Sequence, residues 1–124
     1  MIRKSKKRDA IWQELCALST HPNADMLHAQ LKSCIPDLSL GTVYTNLCAF
    51  KREGMAVSVG TVNGKERFDG NVTPHAHFIC RECGEVRDLW DVPIPAHPQV
   101  DDEIDSCRLS YFGRCAACCK QFLS

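Results

Sequence analysis

Two Cys-x-x-Cys pairs constrain the fold of this chain more than any other feature of its sequence. Cys80 and Cys83 form the first pair, Cys115 and Cys118 form the second, and a glycine lies close to each. Four thiolates in two such pairs match the tetrahedral ligand set of structural Zn²⁺. The sequence therefore predicts one four-cysteine zinc site that joins the middle of the chain to its end. Because Cys119 directly follows Cys118, either sulfur could complete the set, and the spacing favours Cys118.

The competing interpretation of the two pairs is a thiol redox or zinc-carrying protein. The chain has nine cysteines among 124 residues, and its basic first residues lack the apolar segment of a secretion signal. We therefore expect a cytoplasmic, reducing environment, where cysteines are metal ligands or redox centres more often than structural disulfides. Neither pair opens a helix after a buried parallel strand, as a thioredoxin-like pair does. Zinc is favoured, and the redox interpretation stays open.

Composition and charge narrow the class of protein further. The apolar fraction of 44% and charged fraction of 24% exclude disordered and coiled-coil chains. No apolar run approaches the ~20 residues that a membrane helix needs. The net charge is zero, but residues 1–70 carry ten Lys and Arg against seven Asp and Glu, whereas residues 71–124 carry five against eight. The basic first half suits contact with a polyanion such as DNA.

Hydrophobic periodicity in the first half predicts three short helices followed by a β-hairpin. The helical periods cover residues 6–18, 23–31 and 39–54. Asn23 and Ser39 are candidate N-caps, and Gly54 is a candidate terminator. Alternating residues then lead to Asn63-Gly64, a strong hairpin signal, and to a return strand. This order predicts a winged helix-turn-helix domain over residues 1–70. The hairpin is its wing, and the third helix is expected to enter a DNA groove. The alternative is a small α+β domain that binds no nucleic acid.

The second half is expected to be a small α/β domain over residues 75–124, after a hinge at 71–74. Strands are expected over 75–80 and 85–90, on either side of the first cysteine pair. The prolines that follow predict irregular chain or one short helical turn. A last strand is expected over about residues 104–112, and a short amphipathic tail follows it.

The first strand of that half carries a second candidate metal site. His75 and His77 are two residues apart, so both imidazoles project from one face of the strand. A turn centred between Glu82 and Cys83 places Asp88 opposite His77, with Cβ atoms ~5 Å apart. Two histidines and a carboxylate form the nucleus of a divalent-metal site. The alternative is an ordinary exposed strand with a polar neighbour.

Five segments, in order along the chain, carry motifs of a known protein family. They are His21-Pro22-Asn23-Ala24-Asp25, Gly41-Thr42-Val43-Tyr44-Thr45-Asn46-Leu47, Arg67-Phe68-Asp69, His75-Ala76-His77-Phe78-Ile79-Cys80-Arg81-Glu82-Cys83-Gly84 and Tyr111-Phe112-Gly113-Arg114-Cys115-Ala116-Ala117-Cys118. In these segments the sequence resembles the ferric uptake regulator family of metal-responsive bacterial repressors. The resemblance implies an α+β fold, with an N-terminal winged helix-turn-helix domain and a small C-terminal α/β dimerisation domain that holds a four-cysteine zinc site.

The resemblance also implies a regulatory metal site. In the family its ligands are a His before the second helix, a carboxylate after the wing, the His-x-His pair and an acidic residue after the first cysteine pair. On this chain these are His21, Asp69, His75, His77 and Asp88. Both acidic ligands are Asp, as in the peroxide-sensing branch, whereas iron-uptake regulators usually carry Glu. The resemblance thus implies Fe²⁺ or Mn²⁺ and, by analogy, oxidation of His21 and His75 by peroxide. The alternative within the family is an iron or other metal-uptake regulator.

The implied protein is a homodimeric transcriptional repressor, not an enzyme, that binds a palindromic double-stranded DNA operator and no membrane. Tyr44 matches the family's recognition-helix tyrosine, which reaches bases in the major groove. The other expected DNA contacts are Thr42, Thr45 and Asn46 on the same helix, Lys6 and Arg8 in the basic N-terminal segment, and Lys65 on the wing. Arg67 on the wing is also expected near phosphates.

Three features depart from the family pattern. In place of the additional N-terminal helix of many relatives, we expect only the basic segment 3–8. The region 91–105 is short and broken by prolines, so the long helix of the dimerisation domain is expected to be largely absent. Pro74 and Phe78 flank the His-x-His pair, so a further His/acid site of some members is expected to be unfilled.

Overall fold

The computed structural model describes residues 6–96, 98–104 and 107–123 of the chain. The elements are α1 (Lys6–Ala17), α2 (Ala24–Leu31), α3 (Leu40–Arg52), β1 (Val57–Val62), β2 (Lys65–Asp69), β3 (Ala76–Cys80), β4 (Val86–Leu89), β5 (Ser110–Gly113) and α4 (Ala116–Leu123). The chain divides into an N-terminal unit that ends at Val72 and a C-terminal unit that begins at Thr73. Within the described ranges, no helix has the length and apolar character needed to cross a bilayer.

Side-chain caps start α2 and α3 at the predicted positions. The Asn23 side chain accepts a hydrogen bond from the Met26 N–H at 2.9 Å, and the Ser39 hydroxyl accepts one from the Thr42 N–H at 3.1 Å. Each cap satisfies a backbone donor that has no partner inside the helix and contributes about 1 kcal/mol. After α3, Gly54 takes a φ of 77°, the left-handed conformation that commonly ends a helix.

The core of the N-terminal unit consists of the apolar faces of the three helices, one strand residue and two residues outside the elements, Leu38 and Ala56. The buried cluster is Ile11, Leu15, Leu27, Leu31, Leu38, Val43, Leu47, Phe50, Ala56 and Phe68. Trp12 lies at the edge of this cluster and packs edge-on against Phe50, with ring centroids 5.1 Å apart. The helical positions in this cluster match the predicted periods, because burial of one face is what produces the pattern.

The strands β1 and β2 form an antiparallel hairpin directly after the helices. Asn63 and Gly64 make its turn with φ values of 53° and 78°, the paired left-handed conformations of a tight hairpin turn. Three helices followed by this hairpin make a winged helix-turn-helix unit, as the sequence predicted.

The C-terminal unit is built on a three-stranded sheet in the order β4-β3-β5. The strands β3 and β4 are antiparallel and pair His77 with Asp88, which confirms the predicted register. The strand β5 runs parallel to β3, from the His77–Ser110 pair to the Cys80–Gly113 pair. The helix α4 follows β5 and forms the amphipathic tail.

The expected last strand over 104–112 is wrong in its extent, because the observed strand begins only at Ser110. In the described part of the chain it pairs with β3 alone, which has five residues, so earlier residues there have no strand to pair with. Part of the expected strand, residues 105 and 106, lies outside the described residues. From Asp91 to Ile104, the described residues form no helix or strand, in agreement with the effect expected of the prolines.

Candidate metal centres

The four cysteines of the two Cys-x-x-Cys pairs meet in the C-terminal unit. The Sγ atoms of Cys80 and Cys118 are 3.8 Å apart, as are those of Cys83 and Cys115, and all four lie within 4.8 Å of one another. Tetrahedral zinc with Zn–S bonds of ~2.3 Å requires sulfur atoms about 3.8 Å apart. The cluster therefore fits Zn²⁺ in both ligand type and spacing.

Backbone N–H groups stabilise the thiolate form of one of these cysteines, which is the form that binds a metal. The N–H groups of Cys83 and Cys115 point at the Cys80 sulfur, at 3.4 and 3.3 Å. These hydrogen bonds lower the pKa of the Cys80 thiol to about 6, because they stabilise the thiolate. A side-chain hydrogen bond with Cys115 and burial instead raise the pKa of Cys118 to about 12, so without a metal this thiol keeps its proton at neutral pH.

The ambiguity at the Cys118-Cys119 dipeptide is resolved in favour of Cys118. Cys118 is buried within the cluster, whereas the Cys119 thiol contacts the Arg114 carbonyl at 3.5 Å. The turn at the start of α4 directs the first of the two side chains inward. The cluster therefore contains the sulfur that the spacing favoured.

A second cluster in the same unit joins two histidines and a carboxylate. One oxygen of Asp88 lies 2.6 Å from Nε2 of His75 and 3.3 Å from Nε2 of His77. Both imidazoles are buried. The Nδ1 atom of His75 lies 2.6 Å from the Thr73 carbonyl, so its N–H donates there and Nε2 faces the cluster. This second hydrogen bond is the usual means by which a protein orients a metal-binding imidazole.

A His–Asp pair lies in the N-terminal unit. His21 and Asp69 are both buried, and Nδ1 of His21 lies 3.7 Å from an Asp69 oxygen. His21 takes a φ of 52°, which is uncommon for a residue other than glycine and costs about 1 kcal/mol or more. Such strain persists where the surrounding contacts hold the residue in place.

The contact that holds His21 comes from Arg67. The guanidinium donates hydrogen bonds to the carbonyls of Thr20 and His21, at 2.7 and 2.5 Å. Burial lowers the pKa of Arg67 from its usual value. The expectation that Arg67 lies near phosphates is therefore wrong, since the side chain points into its own unit. Sequence reasoning could not predict this, because buried and exposed residues normally alternate along a strand, whereas Arg67, Phe68 and Asp69 are all buried.

The expected DNA contacts on α3 divide into exposed and internally bonded side chains. Tyr44 is 52% exposed, and Thr45 is exposed too. The Thr42 hydroxyl instead lies 2.8 Å from that of Ser39, and the Asn46 amide donates to the Thr42 carbonyl at 2.9 Å. Tyr44 and Thr45 are thus presented directly, whereas Thr42 and Asn46 are engaged within the helix.

The basic side chains that are expected to contact DNA also divide into exposed and internally paired ones. Lys6 is exposed on α1. Arg8 makes a two-pronged ion pair with Glu53, at 3.1 and 3.2 Å. Lys65 pairs with Asp25 at 2.7 Å. A cleft of about 550 Å³ between α2, α3 and the wing is lined by both Tyr44 and Lys65.

Comparison with known proteins decides the family. The model of the "Ferric uptake regulator family" matches residues 1–104. This chain belongs to the ferric uptake regulator family. The members of this family are transcriptional regulators.

Individual members of the ferric uptake regulator family agree with this assignment. The peroxide-responsive repressor PerR of Staphylococcus aureus strain Mu50 is 32% identical over 122 residues, which cover 94% of this chain and 82% of that protein. The ferric uptake regulator of Helicobacter pylori has the same fold, with a TM-score of 0.74 at 19% identity over 94% of this chain and 82% of that one. The Campylobacter jejuni peroxide stress regulator has a TM-score of 0.71 at 24% identity, over 90% and 88%.

The sequence interpretation did not predict two contacts to candidate ligands. The first is the hydrogen bond from Arg67 to the His21 carbonyl. The second is the stack of the Trp90 ring on His75, with centroids 3.9 Å apart. A signal for Trp90 was present, because residues 88 and 90 project from the same side of an extended strand.

Proposed function

We propose that this chain is a metal-dependent, DNA-binding transcriptional repressor whose regulatory ligands are His21, Asp69, His75, His77 and Asp88. The observation that carries the proposal is the cluster of two imidazole nitrogens on one Asp88 oxygen. A divalent ion suits this donor set of nitrogen and carboxylate oxygen. Family membership supports the extension of the ligand set to the His21–Asp69 pair.

The ligands explain how metal would control DNA binding. When bound, Fe²⁺ or Mn²⁺ supplies the positive charge that holds these imidazoles and carboxylates together, and Fe²⁺ also supplies reactivity toward peroxide. Two ligands belong to the N-terminal unit and three to the C-terminal unit. A metal ion bound by all five ligands would restrict the motion of the two units and favour one DNA-competent arrangement.

The DNA-binding surface is proposed on α3 and the wing. Tyr44 and Thr45 would contact bases, with Thr42 and Asn46 beside them, while Lys6, Arg8 and Lys65 would contact phosphates. The DNA is proposed to be a palindromic operator read by a homodimer in the cytoplasm. Exposed apolar side chains in the C-terminal unit support a dimer, since such residues often mark interfaces. They are Val100, Tyr111 and Phe112.

The decisive experiment combines metal analysis with DNA binding. We expect the zinc-loaded chain to bind operator-like DNA more tightly with Mn²⁺, and His77→Ala to lose this response while it keeps zinc. His28→Gln is the matched control, because His28 bonds to the Leu38 carbonyl and is outside the ligand set. Equal Mn²⁺ responses of the wild type and His77→Ala would contradict the proposal.

The specific signal is proposed to be peroxide. Each oxidised imidazole would exchange one C–H bond for C–OH while one molecule of peroxide is reduced to water. The products, expected at His21 and His75, are poorer ligands, so the metal and the DNA would be released. Similarity to the repressor PerR of S. aureus, which is peroxide-responsive, supports this choice.

A peroxide challenge separates the two functions within the family. The Fe²⁺-loaded chain is expected to release DNA, and mass spectrometry of its peptides is expected to find one added oxygen on His21 or His75. If DNA binding survives and neither histidine gains oxygen, the chain is an iron or other metal-uptake regulator instead.

The remaining rival is a thiol redox or zinc-carrying protein. One zinc per chain that resists mild peroxide supports a structural role for the four-cysteine cluster. Disulfide formation with ready loss of zinc would support the rival.

A further inference from the structure

We infer that Trp90 is a positioning residue for His75, whose indole ring holds this imidazole in the orientation that metal binding requires. The inference rests on the proposed function, because it assigns a role toward the regulatory metal. It concerns a side chain that offers no ligand atom of its own. Its support lies entirely in the C-terminal unit.

The contact is a face-to-face stack. The two ring centroids are 3.9 Å apart and the ring planes differ by 18°. Trp90 is 53% exposed, whereas His75 is 8% exposed. The indole therefore lies between the imidazole and solvent and covers one face of it.

The stack supplies a restraint that the hydrogen bonds of His75 do not. Thr73 and Asp88 bind different nitrogens of the ring, each at 2.6 Å. Such bonds fix the direction of the two nitrogens but allow the ring to rock about the line that joins them. A flat neighbour against the ring face opposes that rocking. The neighbouring ring of His77 is tilted by 50° to that of His75, with centroids 4.3 Å apart, so it does not provide an equivalent flat surface.

Electrostatics favours the same arrangement. An imidazole that binds a divalent ion gains positive character, and the face of an indole carries negative charge density. Trp90 therefore stabilises the metal-bound form of His75 more than the free form. Partners that orient a ligand in this way commonly change metal affinity by 10- to 100-fold.

Three variants of the zinc-loaded full chain test the inference by Mn²⁺ affinity, measured from the electron paramagnetic resonance signal of free Mn²⁺. Trp90→Ala is expected to weaken binding by about tenfold. Trp90→Phe keeps a flat aromatic face and is expected to restore most of this affinity. Trp12→Phe is the matched control, because Trp12 packs on Phe50 in the other unit, and its affinity is expected to equal that of the wild type.

A spectroscopic signal provides a second readout that a merely structural role would not move. The chain has two tryptophans, so Trp12→Phe leaves Trp90 as its only indole. Mn²⁺ is expected to quench the emission of Trp90 with the same midpoint as the binding curve. Zinc content and thermal unfolding of Trp90→Ala check that the C-terminal unit stays folded. We expect it to do so, because the Trp90 side chain is half-exposed.

The outcomes separate this inference from the proposed function. Wild-type affinity in Trp90→Ala, or emission that ignores Mn²⁺, would overturn the role of Trp90 while the metal site stands. Failure of Trp90→Phe to restore affinity would overturn the stacking argument, whether or not Trp90→Ala folds. If His77→Ala binds Mn²⁺ as tightly as the wild type, the proposed function fails, and the inference fails with it.

Discussion

At the scale of single residues, the structure shows side chains that contact candidate ligands although the sequence pattern predicted no such contact. Arg67 and Trp90 are not ligands, yet each contacts a candidate ligand histidine. The ligands themselves belong to recognisable motifs, because metal chemistry restricts both residue type and spacing. Positioning residues have no such restriction, since many side chains can hold a ring or a carbonyl. Sequence reasoning therefore named the candidate ligands and did not predict the residues that contact them.

Replacement of Arg67 is expected to destabilise the N-terminal unit. Arg67→Ala removes two charge-assisted hydrogen bonds and leaves the carbonyls of Thr20 and His21 without them, a cost of about 3 kcal/mol in the free energy of unfolding. Denaturant unfolding measures the change. Arg52→Ala on the exposed end of α3 is the control, with an expected effect within ~0.5 kcal/mol. Equal effects of the two substitutions would show that the Arg67 contacts contribute little.

The dipeptide at the start of α4 gives a comparison of two adjacent thiols. Cys118→Ser is expected to reduce bound zinc well below one equivalent, because it removes one of four sulfur ligands. Cys119→Ser is expected to keep full zinc content and wild-type thermal stability. Elemental analysis of both purified variants checks this, and zinc loss from Cys119→Ser alone would reverse the assignment.

At the scale of elements, the β3–β4 register was the most exact success of sequence reasoning. A two-cysteine turn fixes where the chain reverses, so every cross-strand partner follows, including Asp88 opposite His77. The extent of β5 could not be predicted in this way. Its limits depend on a parallel partner far away in sequence, and nothing local marks where that pairing begins.

The wing is the element where charge is predicted to control DNA affinity. Lys65→Ala is expected to weaken DNA binding and to reduce the slope of log affinity against log salt by about one, because one phosphate contact is lost. Asp25→Asn is expected to act in the opposite direction at low salt, since it releases Lys65 from its ion pair. Titrations of labelled operator at several salt concentrations measure both effects.

The control for the wing experiment is Lys120→Ala. It removes the same charge from α4 in the C-terminal unit, and its salt slope is expected to match the wild type. A slope that falls equally in Lys65→Ala and Lys120→Ala would indicate a general charge effect rather than a wing contact.

At the scale of the whole molecule, the two units differ in what stabilises them. The N-terminal unit buries a cluster of ten apolar or aromatic residues. In the C-terminal unit, the described cluster around the cysteines is small, with Cys80, Cys115 and Cys118 buried and Phe78 packed against them. Small cores of this kind usually depend on a metal or another cross-link.

Zinc removal is therefore expected to unfold the C-terminal unit and to spare the N-terminal one. Each unit contains one of the two tryptophans, so Trp90→Phe and Trp12→Phe provide single reporters for the N-terminal and C-terminal units, respectively. A strong chelator is expected to shift the emission of Trp90 to that of an unfolded chain while Trp12 emission is retained. Simultaneous loss of both signals would show that the units unfold together.

The four-cysteine cluster also has a topological consequence. It joins the β3–β4 turn to the start of α4, so the irregular stretch between Asp91 and Ile104 lies inside a loop that the metal closes. A protease cut in that stretch would sever the polypeptide without separating its pieces. Native mass spectrometry should detect the nicked chain at its intact mass plus one water and one zinc, and chelation should then release two fragments.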